Sequence, residues 1–384
     1  MPPQPAEPAL PVPTHRRSFL KQGGALCLSA LVLGGCASRA PGGRSATPAG
    51  TVSGRSQKPT PPPPPNGIGA TPVPALRPGA RIAIVAPASA ALNASDEAAE
   101  WLEARGYVAQ VMPASRTRMS PPYDYLAGSD ADRLADLHAA FADPEVGAVW
   151  CLQGGFGSWR LLDQLDVGLL RRHPKPFIGY SDITALHLAM QRHVGFVTFH
   201  GPMLAQDLLA GKREPTESSV LAMVSGQMGA GSWIAPPLDA LATELVSGVA
   251  SGRLVGGNLA LIAALTGTRN DIDTRDAILF IEDVNEAIPR VDRLLGQLAA
   301  AGKFDSVRGL LVGNFTRLRG QMDDAEAQGL LYPLILDQFR ARGIPILGGW
   351  PSGHGDPNLT LPLGAQVTLD TARGGLRLDQ AVVV

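Results

Sequence analysis

Beyond residue 80, short apolar runs alternate with amphipathic stretches along most of the chain. Ile82-Ala83-Ile84-Val85-Ala86 is continuously apolar and ends at Pro87, the pattern of a strand buried on both faces. Ser95 and Asp96 stand where they would cap a helix through Trp101 and Leu102 to Arg105, stopped by Gly106. Tyr107 to Val111 reads as a second strand. Ser129-Asp130-Ala131-Asp132-Arg133 opens another helix, with Leu134, Leu137 and Phe141 on one face. Val146 to Leu152 is a third strand, and Gln153-Gly154-Gly155-Phe156-Gly157-Ser158 is a Gly-rich loop at its end. Trp159 to Leu165 reads as helical, Phe177-Ile178 as a fourth strand and Ile183 to Gln191 as a helix. Strand and helix alternate, which predicts an α/β fold with a mostly parallel sheet sandwiched by helices. Ligands on such sheets sit beyond the carboxyl ends of the strands.

Residues 205 to 240 lose the alternation, with connection-like stretches at Lys212 to Thr216 and Ala235 to Pro237. A second α/β unit follows. Arg253 to Leu259 turns from strand to helix, and Ala277 to Ile281 is a buried strand running into Glu282-Asp283. Val291, Leu294, Leu295 and Leu298 space out one helix face before Gly302. Gly309 to Gly313 is a strand, a helix spans roughly Asp324 to Arg342, and Pro345-Ile346-Leu347 leads to Gly348 through His354. Short strands, Gln366 to Asp370 and Leu376 to Val383, close the chain. The predicted division is 1–36 leader, 37–79 tether, 80–205 N-terminal domain, 206–240 connection and 241–384 C-terminal domain.

The chain has 384 residues and is 45% hydrophobic, enough for two domains with sizeable cores. A formal net charge of −1 argues against a nucleic-acid partner held through phosphates. Thr14 to Lys21, with Arg16-Arg17, resembles a twin-arginine export signal. The apolar stretch Gly23 to Leu33 that follows is short for a membrane span. Leu33-Gly34-Gly35-Cys36 resembles a lipoprotein processing box, with Cys36 as the lipid site. The expected product is an exported, periplasmic protein held to a membrane by that anchor; an N-terminal anchor helix or an uncleaved leader is the alternative. Residues 37 to 79 are rich in Pro, Gly, Ser and Thr, with a run from Pro61 to Pro65, and read as a disordered, partly extended tether. Of three cysteines, Cys27 and Cys36 lie at the leader, so Cys151 has no internal partner and reads as a small buried hydrophobe.

The chemistry centres on Phe177-Ile178-Gly179-Tyr180-Ser181-Asp182-Ile183-Thr184. A strand, Gly-x-Ser and a helix in succession can set a hydroxyl on a sharp turn, with backbone N–H groups of the helix start beside it. Ile183 replaces the second Gly of the G-x-S-x-G elbow, and the same residues also fit a simple capping turn. A serine nucleophile needs a base, and the base an orienting acid. Of seven histidines, His15 is in the leader, His138 and His187 are mid-helix, and His173 and His193 lie in polar loops. His200 and His354, both at strand ends beside glycine, remain level as bases. Glu282 ends an apolar strand, where it is either an orienting acid or a surface partner of Arg290 or Arg293; Asp283 and Glu286 compete with it. The Gly154, Gly155 and Gly157 loop lacks the Lys-Ser/Thr of a P-loop, and its better use is to offer N–H groups to an oxyanion together with Asp182. No His, Cys, Asp or Glu set has metal-ligand spacing, so neither metal nor cofactor is expected.

Five ordered blocks resemble the LD-carboxypeptidase family of serine peptidases, which includes muramoyltetrapeptide carboxypeptidases and microcin C self-immunity peptidases. They are Gln153 to Leu162, Phe177 to Thr184, Gly256-Gly257-Asn258-Leu259, Leu279 to Val284, and Gly353-His354 followed by Leu361 to Ala365. The resemblance implies a Ser–Glu–His set at Ser181, Glu282 and His354, and so favours His354 over His200. It implies an N-terminal α/β domain, a C-terminal domain with a partly barrel-like sheet, a site in the cleft between them, and a homodimer. The implied activity is hydrolysis of the amide between an L-centre and a terminal D-amino acid in murein tetrapeptides. Two alternatives stay open: a self-immunity-type peptidase acting on aminoacyl-nucleotides or other peptide amides, and a non-catalytic, lipid-tethered protein that binds murein peptides. Where many relatives read Glu-x-Pro-Tyr-Arg-Ile-Asp-Arg, this chain reads Glu286-Ala287-Ile288-Pro289-Arg290-Val291-Asp292-Arg293, without the Tyr.

Overall fold

A computed structural model describes residues 69–240, 242–318 and 324–384. The leader, Cys36 and most of the proposed tether lie outside the described residues. The first sheet is built on five parallel strands, β1 (Arg81–Val85), β2 (Val108–Val111), β3 (Val146–Cys151), β4 (Phe177–Gly179) and β5 (Thr198–His200). The rest are β6 (Trp233–Ile234), β7 (Thr243–Val246), β8 (Val249–Asn258), β9 (Ala277–Val284), β10 (Gly309–Thr316), β11 (Ile346–Gly348), β12 (Leu361–Leu363), β13 (Gln366–Asp370) and β14 (Gly375–Leu378). The first sheet runs β12-β5-β4-β3-β1-β2 and the second β6-β14-β13-β8-β9-β10-β11-β7. The second sheet has a parallel centre, β8 to β11, flanked by antiparallel strands, and curls as a half-barrel. The α/β class expected from the alternation is the one observed.

Eight α-helices connect these strands among the described residues: α1 (Ala94–Glu103), α2 (Asp130–Ala142), α3 (Val167–Arg172), α4 (Thr184–His193), α5 (Thr216–Ser225), α6 (Leu259–Leu265), α7 (Ile288–Ala300) and α8 (Asp324–Phe339). The apolar runs form the central strands because both faces are covered. Ile82, Ile84, Val149, Ile178, Phe280 and Leu311 are all fully buried, each contributing about 1.5–3 kcal/mol through its side chain. Ser129 caps α2 by accepting from the Asp132 N–H at 3.1 Å. The cap expected at Ser95 and Asp96 is not there. Asn93 precedes α1 without a side-chain cap, Ser95 is buried in the first turn, and Asp96 instead pairs with Arg116. Residues Ser158–Gln164 are a 3-10 helix.

The linear division also needs correction. Val73 and Leu76, inside the supposed tether, are fully buried. Backbone bonds seat this segment, with Ala70 N–H donating to Gly364 O (2.8 Å) and Leu76 N–H to Val224 O (2.8 Å). Prolines at 72 and 74 have no N–H to strand, so an edge-like path along the body suits them. The 206–240 stretch contains α5 and β6, and β6 pairs with β14. Finally β12, from the last quarter of the chain, pairs antiparallel with β5 in the first sheet. The C-terminal part of the chain therefore contributes a strand to the first sheet, and the end of β8, an interior strand of the second sheet, meets the start of α4. There Asn258 N–H donates to Thr184 Oγ1 at 3.0 Å.

Candidate active site

Ser181 sits immediately beyond β4 and Tyr180, with φ +62°. A left-handed serine is uncommon, and such strain gathers at functional sites. The base of this turn is fixed from behind. Gly179 O accepts from His187 Nε2–H at 2.8 Å, and His187 Nδ1 accepts from Thr198 Oγ1 at 2.9 Å. A carbonyl can only accept, so Nε2 carries the proton. Burial holds the His187 pKa down to about 4 and keeps the ring neutral. Cys151 is fully buried behind the turn, and burial pushes its thiol pKa far up. It is packing, as its sequence setting suggested.

His354 lies on the loop after β11. Its Nε2 is 3.0 Å from Ser181 Oγ, and its Nδ1 is 2.6 Å from Glu282 Oε2. Glu282, on β9, is completely buried. The loop is held by Gly353 N–H donating to Asn358 Oδ1 (2.9 Å) and by Ser352 Oγ donating to Leu359 O (2.6 Å). Gly353, at φ +108°, is pressed so closely on Glu282 that a Cβ there would lie 2.5 Å from Oε2. The Tyr180 ring meets the His354 ring edge-on at 4.9 Å. Tyr180 in turn donates from its hydroxyl to Asp207 Oδ1 at 3.1 Å, and Asp207 is ion-paired with Lys212. A serine hydroxyl, an imidazole and a buried carboxylate in this order form a proton relay capable of activating the hydroxyl.

The other candidates fall elsewhere. His200 is fully buried between the rings of Tyr180 (5.6 Å) and Phe280 (4.9 Å), and burial holds its pKa well down. It does not reach Ser181 by hydrogen bond. Asp283 points to the opposite side of β9 from Glu282. It accepts from Asn258 Nδ2 (3.0 Å), Ala260 N–H (3.0 Å) and Val284 N–H (2.8 Å), securing the start of α6. Burial, with the neighbouring Glu282 charge second, raises its pKa to about 7. The surface ion pair expected of Glu282 is made by Glu286 with Arg290 at 2.9 Å.

Gly154 borders Ser181. A Cβ built on it would lie 3.0 Å from Ser181 Cβ, 3.2 Å from Oγ and 3.4 Å from Asp182 N. Gly155 backs onto Ser89, whose Oγ accepts from Phe156 N–H at 3.0 Å. Gly157, at φ +119°, accepts from Arg133 Nη1 through its carbonyl at 3.1 Å. The buried Asp182 carboxylate takes the Ser158 N–H at 2.8 Å. Burial raises the Asp182 pKa. Sequence reasoning also passed over Tyr180, Asp207 and Asn358; Asp207 lies in a π-helical turn, Leu204–Leu208, with no local pattern to mark it. Among the described residues no group of three or more His, Cys, Asp or Glu is placed to hold a metal ion.

The family model described as the LD-carboxypeptidase N-terminal domain matches residues 82–201, and that of the LD-carboxypeptidase C-terminal domain matches residues 251–369. The chain belongs to the LD-carboxypeptidase family. It is a carboxypeptidase of the serine-hydrolase type. A Bacillus subtilis (strain 168) relative is 39% identical over 300 residues, spanning 78% of this chain and 91% of the relative. The protein named murein tetrapeptide carboxypeptidase of Pseudomonas aeruginosa is 35% identical, spanning 76% and 94% of the two chains. Among solved structures, this LD-carboxypeptidase is similar to the muramoyltetrapeptide carboxypeptidase from Oxalobacter formigenes, with TM-score 0.62, 30% identity, and 78% and 97% of the chains covered. The microcin C7 self immunity protein MccF shares the fold at TM-score 0.70 and 23% identity, over 83% of this chain and 100% of that one.

Proposed function

We propose that this LD-carboxypeptidase removes the terminal D-amino acid from murein tetrapeptides by acyl-enzyme chemistry at Ser181. The single observation that carries the reading is His354, hydrogen-bonded through one nitrogen to Ser181 and through the other to buried Glu282. In this reading Ser181 Oγ attacks the carbonyl of the L-centre while its proton passes to His354 Nε2. Glu282 accepts from Nδ1–H, fixes the tautomer and stabilises the imidazolium. The Asp182 N–H, beside Gly154, faces the oxyanion of the tetrahedral intermediate, an interaction worth about 3–4 kcal/mol per donor in other enzymes. His354 then gives its proton to the amine of the departing D-amino acid. Water repeats the sequence on the acyl-enzyme, releasing the tripeptide and restoring the Ser181 hydroxyl.

The murein substrate is supported by the names of two relatives that cover nearly their whole length with this chain. The Thr14–Lys21 signal and the Leu33–Cys36 box support export and lipid attachment at Cys36, which would set the enzyme beside murein on the periplasmic side. The test incubates the full-length protein with murein tetrapeptide and assays free D-Ala, with an aminoacyl-nucleotide as the second substrate. Release of D-Ala by the wild type, and none by Ser181→Ala, is expected. Undiminished release by Ser181→Ala would remove the mechanism, and hydrolysis confined to the aminoacyl-nucleotide would replace the substrate.

A further inference from the structure

Between β5 and α5 the chain runs against the loop that carries His354, and Arg213 makes the contact. Its backbone N–H donates to Asp356 Oδ1 at 2.9 Å. Its guanidinium donates twice to the Asp356 carbonyl, from Nε at 3.3 Å and from Nη2 at 3.2 Å. The remaining nitrogen, Nη1, donates to Asp239 Oδ2 at 2.6 Å. Asp356 stands two residues beyond His354 and 143 residues from Arg213 along the chain. The same segment grips the loop a second time. Thr216, fully buried, accepts through Oγ1 from Asn358 N–H at 2.9 Å. Asn358 is also the residue that takes Gly353 N–H. The loop from Gly353 to Asn358 is thus closed on itself and tied at two points to residues 213–216.

His354 needs such support. Glycines flank it on both sides, and a Gly-His-Gly backbone has little stiffness of its own, because glycine has more conformational freedom to lose than any other residue. The imidazole must nevertheless hold two bonds at once, to Ser181 at 3.0 Å and to Glu282 at 2.6 Å. Glu282 is completely buried on a central strand and cannot follow a moving ring. Lys212, beside Arg213, helps from another side. It is ion-paired with buried Asp207, which holds the Tyr180 hydroxyl, and the Tyr180 ring packs edge-on against His354 at 4.9 Å. Adjacent residues of one segment therefore act on the face of the imidazole and on the loop beneath it. The Arg213–Asp239 pair, by contrast, is exposed, and a pair of that kind contributes little.

Resting on the Ser181–His354–Glu282 relay proposed above, we propose that Arg213 is a positioning residue for His354. It acts through Asp356, pinning the glycine-flanked loop so that the imidazole reaches Ser181 and Glu282 together. The stretch between β5 and α5 is then part of the site and not only a connection. A misplacement of about 1 Å at a reacting centre costs on the order of 10²-fold in rate. Arg213→Ala removes the two guanidinium bonds and keeps the backbone one, so the expected fall in kcat is smaller, on the order of ten-fold. Adding Asp356→Ala removes the third bond and should bring the fall toward about 10²-fold.

The experiment compares full-length wild type with Arg213→Ala, Arg213→Lys, Asp239→Ala and the double variant Arg213→Ala with Asp356→Ala. Steady-state D-Ala release from murein tetrapeptide gives kcat and KM, and thermal melting checks the fold. Proton NMR follows the downfield signal of His354 Nδ1–H on Glu282, identified by its absence from His354→Gln. Arg213→Ala should lower kcat about ten-fold with KM within about two-fold of wild type. Arg213→Lys should recover most of the loss, since it still donates to the Asp356 carbonyl, and Asp239→Ala should cost no more than about two-fold. The Nδ1–H signal should broaden or vanish in Arg213→Ala and persist in Asp239→Ala, a difference that a merely stabilising contact would not produce. The Arg213 and Asp356 side chains are at the surface, so the fold does not rest on them. A kcat for Arg213→Ala within about two-fold of wild type, or an unaltered Nδ1–H signal, overturns the proposal. So does an equal loss in Asp239→Ala, or a loss confined to KM. A signal lost in Arg213→Ala from a wild type that releases no D-Ala would keep the positioning role and remove the reaction. D-Ala release that Arg213→Ala leaves intact would do the reverse.

Discussion

Replacing Gly353 by alanine isolates the contact that joins the two halves of the site. Two effects follow from the geometry. At φ +108° an L-residue is strained by about 1–3 kcal/mol, which lowers thermal stability. The new methyl would also lie 2.5 Å from Glu282 Oε2, about 1 Å inside ordinary contact. Gly353 is bonded to Asn358 on one side and precedes His354 on the other, so the carboxylate is the group that must retreat. Its 2.6 Å bond to His354 Nδ1 is then stretched beyond hydrogen-bonding range. A misplacement of about 1 Å costs on the order of 10²-fold in rate, and complete loss of the orienting acid about 10⁴-fold. The expected fall in kcat lies between those limits, with KM little changed, because Glu282 is completely buried and out of reach of a substrate. Steady-state assay of D-Ala release gives the number. A double-mutant cycle with Glu282→Gln gives the cause. If Gly353→Ala acts through Glu282, it costs little more once the carboxylate is gone. A kcat within two-fold of wild type, or penalties that simply multiply, would refute this reasoning.

Other predictions use the same geometry. Gly154→Ala puts a methyl 3.0 Å from Ser181 Cβ and 3.4 Å from Asp182 N, and should lower kcat by about 10²- to 10³-fold with a small loss of melting temperature; an unchanged kcat would take Asp182 N–H out of the mechanism. Ser181→Gly and Ser181→Ala should both be inactive, but the glycine variant should be more stable by about 1 kcal/mol, since it alone adopts φ +62° without strain; equal melting would mean the turn stores none. His187 is held neutral with its pKa lowered to about 4, so the unfolded chain takes up a proton first. Its contribution is present above pH 6.5 and lost as pH falls toward 4, by up to about 3 kcal/mol, and denaturant titrations of His187→Gln should lack that acid-side loss. Asp283 is shifted the other way, up to about 7, so its contribution is present below about pH 4 and lost as pH rises toward 7. Asp283→Asn should lack that decline, and an unaltered slope would contradict the burial argument.

How far the sequence revealed this arrangement depended on whether the cause was local. Central strands such as Ile82 to Val85 were legible because burial on both faces leaves no polar position to obscure them. The Ser129 cap was legible because it acts within one turn. The turn at Ser181 showed itself as a glycine and a serine after an apolar strand. The choice between His354 and His200 did not, on residues alone, because both end a strand beside glycine. It depends on tertiary packing: His200 lies on the strand beside Gly179 but is enclosed by Tyr180 and Phe280, whereas the loop after β11 carries His354 to Ser181. The Asp182 carboxylate's use was equally hidden, because it accepts from Ser158 N–H, 24 residues away, and no local pattern announces that partner. Val73 and Leu76 were hidden by the prolines around them, whose missing donors suit an edge path as well as a tether.

Ser181 and Glu282 come from different sheets, so their separation needs a fixed connection. A chain of hydrogen bonds supplies one. Thr184, the first residue of α4 and three beyond Ser181, accepts from Asn258 N–H. The same Asn258 donates from its side chain to Asp283, and Asp283 is the neighbour of Glu282 on β9. Alternation along a strand sends Glu282 toward His354 and Asp283 toward Asn258, so one short segment of β9 both faces the reaction and anchors the junction. Two adjacent buried carboxylates would repel each other if both were charged. The raised pKa of Asp283 relieves this, since it can carry a proton near neutral pH while its partner accepts from the imidazole. The proton relay and the joint between the sheets are thus separate jobs given to successive residues, and the electrostatic cost of placing them together falls on the one that does no chemistry.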